Sequence, residues 1–259
     1  MAAAQDNRPM PAAFANLRFE APFVLQQDGT KSLHFTIGEV QSSMRVDRPD
    51  ELQIDYTRTM MGFLILEPRP RRIAMIGLGG GSLVKFCHRH LACAHMTVVD
   101  NNPGVIALRE QFDVPGDDER LCVLEGDGAL FVQSLDAGVD VLLVDGFDHE
   151  GQPAQLCTQG FYDQCFRALA PGGVMVANLH ADHPDHPLFT ARIASSFYGN
   201  GMQVLAGEKA NCIVFAGRRR PVTLEALRSR AWAAALQPQA HRQLRGEFAR
   251  IGWNACTLS

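Results

Sequence analysis

The chain has 259 residues, of which 46% are hydrophobic and 20% are charged, and its formal net charge is −4. This composition supports a large buried core and excludes disorder as the bulk state of the chain. The negative charge offers no electrostatic basis for binding nucleic acid or an anionic membrane, so neither is expected as a partner.

Seven cysteines are scattered along the chain without a Cys-x-x-Cys pair. Their odd number and spacing argue against a disulfide framework or a zinc site, and favour a reducing compartment. Residues 1–11 lack the basic start and apolar run of a secretory signal. No stretch approaches the ~20 apolar residues that span a bilayer. A cytoplasmic protein without a bound metal is therefore expected.

Two regions precede the main body of the chain. Residues 1–16 are expected to form a flexible tail, and residues 17–68 an N-terminal β module with a linking helix. Phe19 to Val46 alternates apolar and polar residues around Gln27-Asp28-Gly29, which predicts a β-hairpin. Asp50 to Leu66 carries apolar residues at helical spacing, which predicts a single helix.

In residues 69–259, short apolar runs alternate with helical stretches, a pattern typical of βαβ units around a parallel sheet. The predicted strands are Ile73 to Gly77, Met96 to Asp100, Leu121 to Glu125, Val139 to Asp145, Gly173 to Leu179, Met202 to Leu205 and Cys212 to Ala216. The predicted helices are Ser82 to His90, Pro103 to Phe112, Ala129 to Ser134, Thr158 to Leu169 and Leu188 to Phe197, with two more between Thr223 and Ile251 that are broken at Pro238. We therefore predict an α/β fold with a Rossmann-like, doubly wound, seven-stranded sheet of the class I methyltransferase type, which forms a nucleotide-binding catalytic domain with C-terminal helices.

A glycine-rich turn, Gly77-Leu78-Gly79-Gly80-Gly81-Ser82, follows the first of these strands and opens a helix. Glycines let the backbone turn tightly and approach a ligand, and the start of the helix offers free N–H groups. Many α/β proteins use such a turn only for packing, so the turn alone leaves both interpretations open.

Acidic residues end three successive strands of the predicted sheet. Asp100 lies about 20 residues beyond the glycines, where a carboxylate can accept both hydroxyls of a ribose. Its alternative role is to cap the helix at Pro103, a task that suits Asn102 better. Asp127 and Asp145 end the next two strands, and the carboxyl ends of parallel strands are where open α/β sheets bind ligands.

These residues together resemble the spermidine synthase (polyamine aminopropyltransferase) family, from about Gly38 to Ala216. The resemblance rests on an ordered set: Gly38-Glu39-Val40-Gln41-Ser42-Ser43, the glycine turn, Asp100, Gly126-Asp127-Gly128, Val144-Asp145 through Asp148, and Phe161-Tyr162 followed by Leu169-Ala170-Pro171-Gly172-Gly173. It implies a homodimer that transfers an aminopropyl group from decarboxylated S-adenosylmethionine, a co-substrate and not a permanent cofactor, to a small amine acceptor.

The resemblance also implies roles for single residues. Gln41 would contact the sulfur side of the nucleotide, Asp100 the ribose and Asp127 the adenine amino group. The remaining donor-binding residues would be Gly77, Gly79, Gly81, Asn101 and Gly128. Asp145 matches the general base of the family and Asp148 its companion acid, while Tyr56 and Phe147 are expected to bind substrate. A carboxylate suits this role because an aliphatic amine with a pKa of about 10 must lose a proton before it attacks a sulfonium carbon.

Three positions depart from the family pattern. Gly80 stands where the family has an acid that holds the amino end of the donor and repels the carboxylate of intact S-adenosylmethionine. Thr57 and Arg58 replace polar residues of the amine pocket, and the Pro-Thr-Tyr type segment of the family is missing near Glu208 to Asn211. Putrescine is therefore poorly supported as the acceptor.

The segment from His180 to His186 contains three histidines and two aspartates. Pro184 within it and Pro187 directly after it favour a surface loop over a metal site, with a place at the mouth of the pocket as a further alternative. The three functions that the sequence leaves open are aminopropyl transfer to an amine other than putrescine, methyl transfer from S-adenosylmethionine, and non-catalytic nucleotide binding.

Overall fold

A computed structural model describes residues 18–36, 40–147, 151–207 and 211–258, with side chains in the first strand from residue 21 onward. The predicted tail at residues 1–16, Gly38 and Glu39 of the resemblance, and the candidate acid Asp148 lie outside the described residues.

The N-terminal module is a small antiparallel sheet of β1 (Arg18–Gln27), β2 (Thr30–Thr36) and β3 (Ser42–Arg45). Asp28 and Gly29 both have positive φ, 49° and 74°, which is the conformation that a two-residue hairpin turn requires. The predicted hairpin is thus present, and β3 adds a third strand that the sequence pattern did not predict. β3 is only four residues long, too short for alternation to stand out.

The linking segment contains two short helices, α1 (Asp55–Met60) and α2 (Phe63–Leu66), and not the single helix predicted from Asp50. A guanidinium hydrogen bond from Arg58 Nη1 to the Leu52 oxygen (2.6 Å) holds the chain that leads into α1. The break falls at Gly62, where a Cβ atom would lie 2.8 Å from the side chains of Phe215 and Ile251. The break therefore lies at a closely packed position where a larger residue than glycine would clash.

The main sheet has eight strands in the order β11-β9-β10-β8-β7-β4-β5-β6. The strands are β4 (Arg72–Ile76), β5 (His95–Asp100), β6 (Leu121–Glu125), β7 (Val139–Val144), β8 (Leu169–His180), β9 (Gly201–Ala206), β10 (Asn211–Gly217) and β11 (Cys256–Thr257). Strands β4 to β8 are parallel, whereas β10 runs antiparallel to β8 and β9. All seven predicted strands are present, and β11 adds a two-residue edge strand. The strand order reverses between β4 and β7, and such switch points are where doubly wound sheets bind ligands.

Helices cover both faces of this sheet, as predicted. They are α3 (Ser82–His90), α4 (Pro103–Ala107), α5 (Gly128–Ser134), α6 (Gln159–Ala168), α7 (His186–Ser196), α8 (Leu224–Leu227) and α9 (Pro238–Asn254). One buried cluster joins the N-terminal sheet, α1 to α3 and α9 to the main sheet, and a second joins α6 and α7 to the opposite face. The helix predicted from Pro103 to Phe112 is interrupted, since α4 ends at Ala107 and a 3-10 turn follows. None of the helices in the described ranges has the length and apolarity to cross a bilayer.

Candidate functional site

A cavity of about 330 Å³ opens at the switch point of the main sheet. Its walls come from the N-terminal sheet, α1 and the loops that follow β4, β5 and β7. Eight of the residues that the sequence singled out line it: Gln41, Tyr56, Gly77, Gly79, Asp100, Asn101, Asp145 and Phe147. Gly128 lines a smaller adjoining cavity of about 40 Å³ together with Asp100, Asn101 and Phe147. Segments far apart in sequence therefore meet at one place.

The glycine turn brings the end of β4 against the end of β7. Gly77 has φ of 88°, and a Cβ atom there would lie 2.2 Å from the Asp145 carbonyl oxygen. Only glycine fits this conformation and this close approach without strain. The turn thus holds the end of β4 against the backbone of Asp145, and Gly79 and Gly81 also have positive φ.

Asp100 is bonded to the turn itself. Its Oδ2 accepts a hydrogen bond from the Leu78 N–H (2.7 Å), and its Oδ1 accepts one from the Asn102 N–H (2.9 Å). Burial raises the pKa of Asp100, and these backbone donors oppose that rise. The cap of α4 is Asn102, whose Oδ1 accepts from the Gly104 N–H (2.9 Å). Asp100 is therefore not the cap, and its carboxylate faces the cavity with unused lone pairs.

Asp127 caps α5. Its Oδ1 accepts hydrogen bonds from the Ala129 N–H (2.8 Å) and the Leu130 N–H (2.9 Å). No hydrogen bond is recorded for its Oδ2 among the described residues. The side chain of Asp127 does not line either cavity, although its neighbour Gly128 lines the smaller one. Capping of α5 therefore occupies one of the two carboxylate oxygens of Asp127.

Asp145 receives hydrogen bonds from two side chains of other elements. Its Oδ1 accepts from Asn178 Nδ2 (2.8 Å) and its Oδ2 accepts from Tyr56 Oη (3.3 Å). Asp145 is partly accessible from the cavity, yet the protein that surrounds its carboxyl group raises its pKa to about 7. The same desolvation, and then the nearby Asp145 charge, raise the pKa of Tyr56 well above its usual value. A carboxylate with a pKa near neutrality is suited to accept a proton at physiological pH.

The charged side chains on the described walls of the main cavity are all carboxylates. Among its described lining residues, Asp100 and Asp145 are acidic and none is Lys, Arg or His. Arg58 forms an ion pair with Asp55 and does not line the cavity, while Thr57 does. Such a cavity favours a cationic ligand.

Gly80, the departure from the family pattern inside the glycine turn, has a steric cause. A Cβ atom at Gly80 would lie 2.5 Å from Ser42 Oγ, 2.9 Å from Ser42 Cβ and 3.0 Å from Phe112 Cδ1. Ser42 of β3 therefore occupies the space that an acidic side chain would need. Ser42 lines the cavity, and its hydroxyl lies 3.4 Å from the hydroxyl of Ser82.

Sequence reasoning missed two residues that complete the surroundings of Asp145. Asn178 is 2% exposed at the carboxyl end of β8, and Asn211 begins β10. A polar residue that interrupts the apolar run Val174 to Leu179 was the available signal for Asn178. Asn211 carries no such signal, since the pairing of β10 with β8 is what brings its side chain within hydrogen-bond distance of Asn178.

The histidine-rich segment forms the turn between β8 and α7. His183 Nδ1 accepts from the Asp185 N–H (3.0 Å), and the ring of His180 packs 4.9 Å from that of Phe147. Within the described ranges, no group of three or more His, Cys, Asp or Glu side chains is arranged to hold a metal ion.

Comparison with known proteins assigns the chain to a family. A family model of the spermine/spermidine synthase domain matches residues 54–215, which run from α1 to β10 and include the strand ends around the cavity. The chain belongs to this family. Over 211 residues it is 37% identical to the polyamine aminopropyltransferase of Chromobacterium violaceum, a match that covers 80% of this chain and 81% of the relative.

Solved structures confirm the fold of this family member. A probable spermidine synthase from Corynebacterium glutamicum superposes with a TM-score of 0.69 at 20% identity, over 92% of this chain and 88% of the other. The human methyltransferase-like protein 13, solved with SAH, superposes with a TM-score of 0.63 at 21% identity, over 74% and 93%. The predicted Rossmann-like sheet of the class I methyltransferase type is therefore confirmed.

Proposed function

We propose that this spermidine synthase family member transfers an aminopropyl group from decarboxylated S-adenosylmethionine to an amine acceptor and releases methylthioadenosine. The observation that carries the proposal is the charge of the cavity: its described walls supply two carboxylates and no basic side chain. Both substrates are cations, a sulfonium nucleotide and an ammonium. The name of the Chromobacterium violaceum relative supports the same reaction.

The donor side of the proposed site follows the first half of the sheet. Asp100 would bind the ribose hydroxyls, with Asn101 beside it in both cavities. Gly128 would lie against the adenine at the smaller cavity, and Asp127 next to it would bind the adenine amino group. Gln41 would face the sulfur. Gly77, Gly79 and Gly81 would shape the turn around the donor, since all three have positive φ.

The acceptor side centres on Asp145. The amine nitrogen would attack the carbon next to the sulfonium sulfur, so that a C–N bond forms, the C–S bond breaks and its electron pair stays on sulfur. Asp145 would accept the proton that the nitrogen loses. Tyr56 and Phe147 would form the walls around the amine, and alignment of the amine with the leaving sulfur would supply further acceleration. Asp148, outside the described residues, is proposed as a companion acid.

Product analysis tests the proposed reaction. The purified chain is incubated with decarboxylated S-adenosylmethionine and a panel of amines that includes putrescine and longer polyamines, and methylthioadenosine is measured by chromatography. We expect release with at least one acceptor, with a rate that rises with pH through about 7 as Asp145 loses its proton. Absence of release across the whole panel would contradict aminopropyl transfer.

A second candidate function is methyl transfer from S-adenosylmethionine, and the packing of Gly80 against Ser42 favours it. With no side chain at this position, the turn presents no negative charge to the carboxylate of the intact donor. Calorimetry with the two donors separates the candidates. Tighter binding of the decarboxylated donor contradicts methyl transfer, whereas tighter binding of the intact donor with release of S-adenosylhomocysteine contradicts aminopropyl transfer.

We also propose that the chain acts as a cytoplasmic homodimer whose N-terminal module (17–68) and catalytic domain (69–259) share the site. The resemblance to the family supports the dimer, and the seven free cysteines support a reducing compartment. Light scattering coupled to gel filtration tests the dimer, since a monomer mass at micromolar concentration would contradict it.

A further inference from the structure

A chain of hydrogen bonds leads from β10 through β8 to Asp145. Asn211 Nδ2 donates to Asn178 Oδ1 (3.0 Å), and Asn178 Nδ2 donates to Asp145 Oδ1 (2.8 Å). Asn178 is buried, and neither asparagine lines the main cavity. We call Asn178 and Asn211 the amide pair. Its recorded link to the described cavity walls is the hydrogen bond from Asn178 to the Asp145 carboxylate.

The ionised Asp145 carboxylate fixes the direction of the hydrogen bonds in the amide pair. An asparagine side chain can present either its oxygen or its NH₂ group to a neighbour. Because an ionised carboxylate can only accept, the NH₂ group of Asn178 faces Asp145 and its oxygen accepts from Asn211. The reversed amide would place an oxygen against the Asp145 carboxylate and an NH₂ group against that of Asn211, so both contacts would become repulsive.

The backbone around Asn178 is held on three sides. Asn178 pairs with Ile213 of β10, and the preceding residue, Ala177, pairs with Val144 of β7. The Asn178 carbonyl oxygen also accepts from Gln152 Nε2 (3.2 Å). The donor to Asp145 is thus preorganised by two neighbouring strands.

On the basis of the function proposed above, we propose that Asn178 and Asn211 are positioning residues. They hold the Asp145 carboxylate in its ionised form through Oδ1 and leave Oδ2, which Tyr56 contacts, to receive the proton of the acceptor amine. Catalytic contact belongs to Asp145, and the amide pair acts through it.

The other groups around Asp145 support this role. Tyr56 faces it from α1, Asp100 lies on another wall of the same cavity, and His180 follows two residues after Asn178 and contacts Phe147. Burial raises the pKa of Asp145 to about 7, and the hydrogen bond from Asn178, followed by that from Tyr56, lowers it. No lysine or arginine on the described cavity walls can replace Asn178 as a stabiliser of the negative charge.

Replacement of Asn178 by leucine, which has similar volume but no amide, tests the proposal. We expect the acidic limb of the kcat–pH profile to move up by about one pH unit, and kcat at pH 7 to fall about fivefold, because a hydrogen bond to a charged group is lost. The KM for the donor should change by less than about threefold, since Asn178 contacts no donor-binding residue. An unmoved acidic limb in an N178L protein that folds would overturn the proposal.

Asn211→Ala, at a half-buried position, provides a second variant that is safer for folding. It should shift the limb in the same direction by a smaller amount, and it should add nothing in the N178L background, because the two residues act in series. Additive shifts would contradict a relay. Asn200→Ala is the matched control: Asn200 bonds to Gly217 at the opposite end of β10, so its loss should lower stability without moving the limb.

A readout independent of turnover separates this proposal from the proposed function. The titration of Asp145 is followed by NMR of protein labelled with carbon-13 aspartate, with the signal assigned by its loss in Asp145→Asn. A midpoint raised in N178L supports the amide pair even if no amine is consumed, in which case only aminopropyl transfer is refuted. An unchanged midpoint beside normal aminopropyl transfer refutes the amide pair alone.

Discussion

Asp100 ends β5 and Asp145 follows β7, the parallel strands on either side of β4, and both line the same cavity, yet they are held in different ways. Asp100 accepts hydrogen bonds from the backbone N–H groups of Leu78 and Asn102, which belong to adjoining turns. Asp145 accepts from the side chains of Tyr56 and Asn178, which belong to other elements. Backbone donors are fixed once the turn forms, whereas side-chain donors are set by packing. The first arrangement suits constant binding, and the second suits a group that exchanges a proton.

The largest expected effect concerns catalysis at Asp145. Asp145→Asn should lower kcat by about a thousandfold, because general base catalysis is lost while the shape of the site is kept. Donor affinity measured by calorimetry should stay within about threefold, since the backbone-held turn around Asp100 is untouched. A rate close to that of the wild type would remove Asp145 from the role of base.

The same substitution should stabilise the protein at alkaline pH. The pKa of Asp145 in the folded chain is about 7, well above the value near 4 of an unfolded chain, so folding favours the protonated form. Stability is therefore lost as pH rises from about 4 to about 7, and Asp145→Asn should recover on the order of a few kcal/mol at pH 8.

Urea unfolding at pH 5 and pH 8 measures this effect. The gain in unfolding free energy should be larger at pH 8 than at pH 5. Asp136→Asn, at an exposed position on the surface, is the control and should change little at either pH. An equal gain in unfolding free energy for Asp145→Asn at pH 5 and pH 8 would show that burial of the ionised carboxylate does not destabilise the fold.

Loss of the backbone-held carboxylate should affect binding and not the pH profile. Asp100→Ala removes the hydrogen bonds from the Leu78 and Asn102 N–H groups and the proposed ribose contact, so donor affinity should fall about a hundredfold. The acidic limb of the kcat–pH profile should not move, because Asp145 is unchanged in this variant. A shifted acidic limb with unchanged donor affinity would assign proton transfer to Asp100 and contradict its role in donor binding.

The smallest effect is expected at Asp127, which follows β6. Asp127→Ala should lower the free energy of unfolding by about 1 kcal/mol, because α5 loses its N-terminal cap. Asp127→Ser keeps a capping oxygen and should restore the stability measured by denaturant unfolding, but not the donor affinity. If serine restores both, Asp127 acts only as a cap.

Local sequence patterns predicted most of the fold. The bounds of Ser82 to His90 and Leu121 to Glu125 agree with the structure, because apolar periodicity and the flanking glycines and polar residues mark both ends. The third N-terminal strand and the break at Gly62 were not predicted. The break falls at Gly62, which packs closely against the distant residues Phe215 and Ile251, and the third strand is too short for alternation to stand out.

The sequence by itself determined the glycine turn at Gly77 and the acids at the ends of parallel strands, since turn chemistry and strand alternation are local properties. Only the tertiary structure decided what surrounds Asp145. Tyr56 lies 89 positions away and Asn178 lies 33. They meet the carboxylate because β7 pairs with β8, β8 pairs with β10, and α1 packs beside them. Burial and strand order, which no local pattern encodes, turn an ordinary aspartate into one that titrates near neutral pH.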